Sequence, residues 1–245
     1  MSEAHPVALV TGAARRIGAV IARTLHAAGY DVALHCRRSH DELAALIDEL
    51  EARRAHSTLV LQADLADSAP LPGLVDAVVA RFGRLDALVN NASIFHPTPL
   101  GEITPAQCDA FFAINARAPL LLAQAAAPHL KAAHGAIVNI TDIYAERPLP
   151  QHVAYGMSKA ALRMATLALA QELAPEVRVN AVAPGAILWP EAKSDVDHSA
   201  ALARIPLQRI GTPEEIAATV LWLIRDAGYV TGQTVRVDGG RILDL

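Results

Sequence analysis

The stretch Val7 to Gly18, VALVTGAARRIG, constrains the fold of this chain more than any other. Val7 to Val10 is an apolar run too short and too β-branched to be a helix of its own. It meets a turn holding Gly12 and Gly18, then an apolar-periodic segment that continues to Gly29. The pattern predicts strand, glycine turn, helix. A helix starting beneath such a turn offers unpaired backbone N–H groups and the positive end of its dipole, which suits the pyrophosphate of a dinucleotide. Two glycines alone are a weak signal. Their place at the first strand-to-helix crossing of an alternating chain, with Arg37 and Arg38 at the end of the next strand, makes it specific.

The alternation continues to the last strand. Strands are predicted at 31–36, 58–62, 86–89, 135–141, 177–182 and 234–237. Helices are predicted at 41–54, 71–82, about 104–132, 153–173 and 213–225, with an irregular segment from Pro184-Gly185 to about Ala200. The expected fold is α/β: a Rossmann-like, doubly wound parallel sheet in a single domain over residues 1–245. With 245 residues, 53% of them hydrophobic, the chain can bury one large core. No repeat, low-complexity run or linker divides it.

Composition excludes several partners. Lys and Arg total 21 against 25 acids, for a net charge of -4, and they form no long run, which argues against nucleic acid. The alanine- and leucine-rich stretch Ala116 to Leu130 contains Pro119, Gln124, Pro128 and His129 and reads as too short to span a bilayer. No charged and apolar leader precedes the first strand, so neither secretion nor a membrane is expected. Cys36 and Cys108 lie in no CxxC and beside no metal-spaced histidines, so no disulfide scaffold and no metal are expected; the expected location is the reducing cytoplasm.

The strand ends carry the chemistry. An NAD-selective site places Asp or Glu about 20 residues beyond the glycine turn. Here stand Arg37, Arg38 and Ser39, whose guanidiniums and hydroxyl suit a 2'-phosphate and so NADPH; the alternative is a solvated Arg-Arg pair opening a helix. Asp64, in Ala63-Asp64-Leu65, reads either as an acceptor for an adenine amino group or as a turn aspartate. Asn90 and Asn91 after a buried strand need specific hydrogen-bond partners. Asn115, mid-helix and of poor helical propensity, either bends the helix or holds a water. Tyr155 and Lys159, at i and i+4, share one helix face. A phenol with a pKa of about 10 needs a nearby cation to serve as an acid–base group, and Lys159 is placed to supply it. His35, His129 and His134 read as structural and are assigned no chemistry.

Thr11-Gly12, Asn90-Asn91-Ala92, Asn115, Tyr155-x-x-x-Lys159 and Pro184-Gly185 together resemble the short-chain dehydrogenase/reductase family across essentially the whole chain. The resemblance implies that Tyr155 is the proton donor, that Lys159 lowers its pKa and holds the nicotinamide ribose, and that Asn115 anchors a relay water. It implies a cofactor-contacting set of Gly12, Arg16, Ile17, Gly18, Arg37, Arg38, Ser39, Asp64, Leu65, Asn91, Ala92, Ser93, Thr141, Tyr155, Lys159, Pro184 and Gly185.

Three departures narrow the resemblance to the pteridine reductases. Arg16 replaces a further glycine in TGAARRIG, a turn similar to their TGxxxRxG, and would reach both the cofactor phosphate and a pterin. In NNASIFHPTPL, Ser93 would contact the pterin and the cofactor phosphate, and Phe95 would either stack on the pterin ring or belong to the core. Asp142 stands where the family's serine normally lies: a serine hydroxyl suits a carbonyl oxygen, whereas an acid suits a substrate with ring nitrogens, the alternative being that Asp142 caps or orders the following loop. The segments Thr141 to Arg147, His152 to Leu162, Leu173 to Asn180 and Ala183 to Glu191 resemble the bacterial pteridine and dihydromonapterin reductase branch. The implied reaction is NADPH-dependent reduction of a C=N bond in a dihydropterin, or of dihydrofolate, with Asp142 as catalytic partner of Tyr155 and Trp189 in a lid. The alternatives are a carbonyl reductase of the same fold, acting on 3-oxoacyl or sugar substrates, and a non-catalytic NADPH-binding sensor. The resemblance also implies a homotetramer built on helices 104–132 and 153–173, whose alanine faces (Ala123, Ala125, Ala126; Ala160, Ala161, Ala165, Ala168) equally fit intrachain burial. Arg241 is then a candidate contributor to a neighbour's site.

Overall fold

The computed structural model describes residues 5–188 and 199–243. Seven strands, β1 (Val7–Val10), β2 (Asp31–Cys36), β3 (Thr58–Gln62), β4 (Ala87–Asn90), β5 (Ala136–Ile140), β6 (Arg178–Pro184) and β7 (Thr234–Val237), form one parallel sheet in the order β3-β2-β1-β4-β5-β6-β7. The register puts Val10 beside Leu34 on one side and Val89 on the other. Helices α1 (Arg16–Ala27), α2 (His40–Arg53) and α8 (Pro213–Arg225) cover one face. Helices α3 (Leu71–Phe82), α5 (Ala118–Ala133) and α6 (Val153–Glu172) cover the other. Between them come α4 (Pro105–Phe112) and the short α7 (Ser199–Leu202).

Period-two alternation assigns the two faces. Ala8 and Val10 join Ile21, Leu25, Leu43 and Val220, while Val7 and Leu9 join Val75, Val78, Leu122 and Leu130. Because both faces are covered, the strands read as unbroken apolar runs. The order reverses between β1 and β4, so Thr11-Gly12 and Asn90-Asn91 meet at the carboxyl edge where ligands of such sheets sit.

The helix expected over about 104–132 is present as one unbroken helical run, Pro105–Ala133, but it is not α-helical throughout. Thr104 and Gln107 form a capping box that starts α4. Residues Ala113–Arg117 then widen into one π-helical turn before α5. The cause is Asn115, which is fully buried and satisfied sideways instead of left to compete with its own backbone. The whole helical run Pro105–Ala133 has 29 residues and contains an 18-residue window of mean hydropathy 1.3, so by length and composition alone it is long enough for a bilayer. Its length exceeds the stretch read as too short; burial of half of that window, with α3 and α6 packed on α5, makes it a core helix.

Two smaller elements were not expected from sequence. Asp142 caps a 3-10 turn, Ile143–Ala145, by accepting from Tyr144 N at 2.9 Å, and a second such turn, Arg241–Leu243, ends the described chain.

Candidate active site

At the β1–β4 edge the glycine turn fits its surroundings without spare room. Gly12 has φ +64°, and a Cβ there would stand 2.9 Å from Ala92 Cα. A Cβ on Gly18 would stand 2.1 Å from Gly12 O and 2.6 Å from Asn91 Nδ2. Asn91 explains its own presence: Nδ2 donates to Thr11 O at 2.8 Å and Gly12 O at 3.0 Å, while Thr11 Oγ1 accepts from Asn91 N and Ala92 N. Asn90 Nδ2 donates to Asn139 Oδ1, whose amide donates to Thr166 Oγ1, joining β4, β5 and α6 through a buried chain. Arg16 is exposed with φ +54°, in the left-handed region that costs a side-chain-bearing residue about 1–2 kcal/mol. The backbone here thus has a glycine-like shape, and the arginine occupies it at a cost.

At the end of β2, Arg37 Nη1 lies 3.7 Å from Asp64 Oδ2, and Asp64 Oδ1 accepts from Ala66 N at 3.0 Å. Asp64 therefore does serve the turn, with its second oxygen toward Arg37. Arg38 is exposed and makes no side-chain hydrogen bond or ion pair among the described residues, and Ser39 caps α2 by position without a side-chain bond. Leu65 is buried and Ile17 half-buried beside them. Thr141 Oγ1 donates to Val182 O, and Gly185 N, just past Pro184, donates to Val237 O.

The reacting end is assembled from β5, the π turn and the start of α6. Tyr155 Oη donates to Asp142 Oδ2 at 2.6 Å. Lys159, one turn further along α6, is fully buried and its Nζ donates to Ile140 O at 2.9 Å. Asn115 Oδ1 accepts from Ser93 Oγ and Ile94 N, and its Nδ2 donates to Ile94 O and Ser158 Oγ. The π turn thus holds the loop that carries Ser93 and Phe95 against α6.

Burial raises the Asp142 carboxyl above its ordinary range, against the pull of Tyr144 N–H, the Tyr155 hydroxyl and Lys159. Tyr155 is pushed well above its ordinary value by burial and by the Asp142 charge. Burial brings Lys159 down to about 8, with Asp142 opposing. The expectation that Lys159 lowers the tyrosine pKa is corrected here. Its ammonium sits 5.9 Å from the Tyr155 ring centroid and gives one of its three N–H donors to Ile140 O, whereas the carboxylate touches the hydroxyl itself.

Phe95, read from sequence as either pterin contact or core, is 55% exposed. It stacks on His152 at 4.7 Å and 15°, and meets Tyr155 edge-on at 4.8 Å. His96 stacks on Phe111, whose buried ring is edge-on to Tyr155. The sequence assigns no role to Phe111, or to His152 beyond its place at the start of a matching segment, although His152 stands only three positions before Tyr155. Trp189 lies outside the described residues. Arg241 sits in the terminal turn, where its carbonyl accepts from Arg147.

A dinucleotide fits this edge. The glycines leave room that any side chain would close, and among the described residues no side chain caps the N-terminus of α1 and the Arg38 and Ser39 side chains are uncommitted, at the strand end where a ribose phosphate would reach.

Residues 12–241 match the family model described as enoyl-(acyl carrier protein) reductase. Pteridine reductase 1 of Leishmania tarentolae is 37% identical, covering 98% of this chain and 97% of that protein. The 3-oxoacyl-[acyl-carrier-protein] reductase of Staphylococcus aureus is also 37% identical, covering 95% and 96%. A solved structure, a blue fluorescent protein from a metagenomic library in complex with NADPH, superposes with a TM-score of 0.90 at 37% identity, over 96% of this chain and 97% of that one.

Proposed function

The chain belongs to the short-chain dehydrogenase/reductase family, and from that premise we propose that it is an NADPH-dependent reductase of dihydropterins, saturating a ring C=N bond. The observation that carries this reading is the 2.6 Å contact of Tyr155 with Asp142, a half-buried acid where a carbonyl reductase of this family would have a serine. Exposed Phe95 supports it, since a flat heteroaromatic ring is the partner such a face accepts. Arg38 and Ser39 take the 2'-phosphate, and Lys159 with Asn91 holds the inner end of the site.

NADPH supplies the hydride when bound. The chain's own residues then manage one proton. A phenolate at Tyr155 is costly, because burial and Asp142 both oppose it. Protonated Asp142 donates to Tyr155 Oη while that hydroxyl donates to a ring nitrogen, so the negative charge ends on Asp142. There it is met by Tyr144 N–H, by the Tyr155 hydroxyl and by the field of Lys159. Asp142 and Tyr155 act as one donor.

A second reading, reduction of a 3-oxoacyl or other carbonyl substrate, draws on the equal identity to the staphylococcal reductase. NADPH oxidation measured side by side with dihydrobiopterin, dihydromonapterin, dihydrofolate, an acetoacetyl thioester and a simple diketone separates the two. Turnover with pterins and little with carbonyls supports the pterin reading; the reverse overturns it. The exposed Met157, Met164 and Leu167 on α6, flanked by exposed Ala160 and Ala168, support assembly through this helix into a homotetramer, whereas Ala123 and Ala126 are spent inside the chain's own core. Free, unpaired Cys36 and Cys108 support a cytoplasmic location.

A further inference from the structure

His35, near the carboxyl end of β2, is a buried titratable group that the reaction does not use. It is 2% exposed, and both ring nitrogens are engaged. Gly12 N lies 3.3 Å from Nδ1, and Nε2 lies 3.1 Å from Ala63 O. Since Gly12 N–H can only donate and a carbonyl can only accept, the network fixes one tautomer: Nδ1 bare, Nε2 protonated. His35 O also accepts from Ala13 N at 2.9 Å. One residue of β2 therefore grips two successive amides of the glycine turn and, on its other side, the tip of β3 just before Asp64.

We infer that neutral His35 is the positioning residue that sets the glycine turn for the cofactor pyrophosphate, so that its protonation loosens NADPH. This rests on the reading that NADPH lies on that turn. An imidazolium carries N–H at both nitrogens, so Nδ1–H would point at Gly12 N–H and the bond would become a repulsion. The turn must then shift, and with Gly18 already in contact with Gly12 O and Asn91 it has nowhere to move without opening. The charged groups bearing on the ring are few. Asp64, at the tip of β3, favours the cation, and its second oxygen is turned to Arg37. Arg117, from the π turn, is fastened beyond it on Ala66 O. Strand β1 carries no titratable side chain. Burial outweighs the bond to Ala63 O and the charge of Asp64 and holds His35 below its ordinary pKa, so the strut stays intact at neutral pH and is lost as pH falls.

The test is NADPH affinity by fluorescence titration, from above to below the ordinary histidine pKa, for the wild type, His35→Asn and His35→Leu. Thermal unfolding of each protein without NADPH is measured beside it. Asparagine keeps an acceptor near Nδ1 and cannot titrate; leucine keeps bulk and no acceptor. The expected result is near-wild-type affinity for His35→Asn and about tenfold weaker binding for His35→Leu at neutral pH, the worth of one buried hydrogen bond. The 2'-phosphate itself titrates near pH 6, equally in all three proteins. The decisive quantity is thus the extra acid loss of affinity in the wild type over His35→Asn. Identical pH profiles for those two overturn the proposal, as does a leucine variant that loses melting temperature but not affinity. Failure of the wild type to bind NADPH at any pH overturns the cofactor reading itself.

Discussion

The Tyr155 hydroxyl donates to Asp142 Oδ2 at 2.6 Å, and this contact decides how the site handles protons. Were a serine in place of Asp142, the hydroxyl would face a neutral neighbour and depend on Lys159 for its acidity. With a carboxyl there, the tyrosine instead becomes the outlet of a carboxylic acid whose own pKa is raised by burial.

Tyr155→Phe removes the outlet and leaves the walls. The ring still packs against Phe95 and Phe111, and Lys159 keeps its bond to Ile140 O. NADPH affinity is expected to stay within twofold to threefold, while kcat falls by about 10²–10⁴, the usual worth of a positioned acid. Retained turnover would assign the proton elsewhere.

Asp142→Asn separates activity from stability. The amide keeps the acceptor for Tyr144 N but has no proton to give, so kcat drops and loses its pH dependence. In the wild type kcat falls as pH rises through the raised carboxyl pKa. The wild type's stability falls in the same direction as pH rises, but the substitution acts on it oppositely, raising it where it lowers kcat. A carboxyl whose folded pKa lies above its unfolded value costs the fold nothing below the ordinary carboxylate range; the cost grows as pH rises from there to the folded value and is constant above it. The melting temperature of Asp142→Asn is therefore expected to exceed that of the wild type at neutral pH and to converge with it in acid. A lower melting temperature at neutral pH would show that the charged pair stabilises the fold.

Arg38→Ala tests the phosphate end. Arg37 is partly committed to Asp64, whereas Arg38 is uncommitted among the described residues, so its loss leaves the free protein's contacts intact. NADPH binding is expected to weaken by about tenfold to a hundredfold, the range of a charge-assisted hydrogen bond, with NADH nearly unchanged. Equal weakening of both would remove the 2'-phosphate from this residue.

The sheet was legible in the sequence because helices cover both of its faces, leaving strands such as Val7 to Val10 as plain apolar runs. The site residues were legible where they stand at strand ends or share a helix face, as Tyr155 and Lys159 do. What sequence concealed depends on contacts between distant segments. The π turn follows from where Asn115 finds partners on Ser93, Ile94 and Ser158. The direction of the tyrosine shift follows from Asp142 touching the hydroxyl while Lys159 turns to a carbonyl. His35 looked structural because its partners, Gly12 and Ala63, lie 23 and 28 residues away.

Phe95→Ala discriminates substrates. More than half of the ring surface faces outward, and its inner edge rests on Tyr155, with His152 stacked against one face. A flat ring bound against Phe95 gains about 0.5–1.5 kcal/mol beyond simple area burial, so its loss is expected to raise KM for a dihydropterin several-fold to about tenfold. A small diketone has no ring to stack and should show an unchanged KM. The melting temperature should barely move, because an exposed ring leaves little cavity when removed. Equal loss for pterin and diketone would mean that Phe95 serves the site by steadying Tyr155 and His152, and kcat would then fall with both substrates.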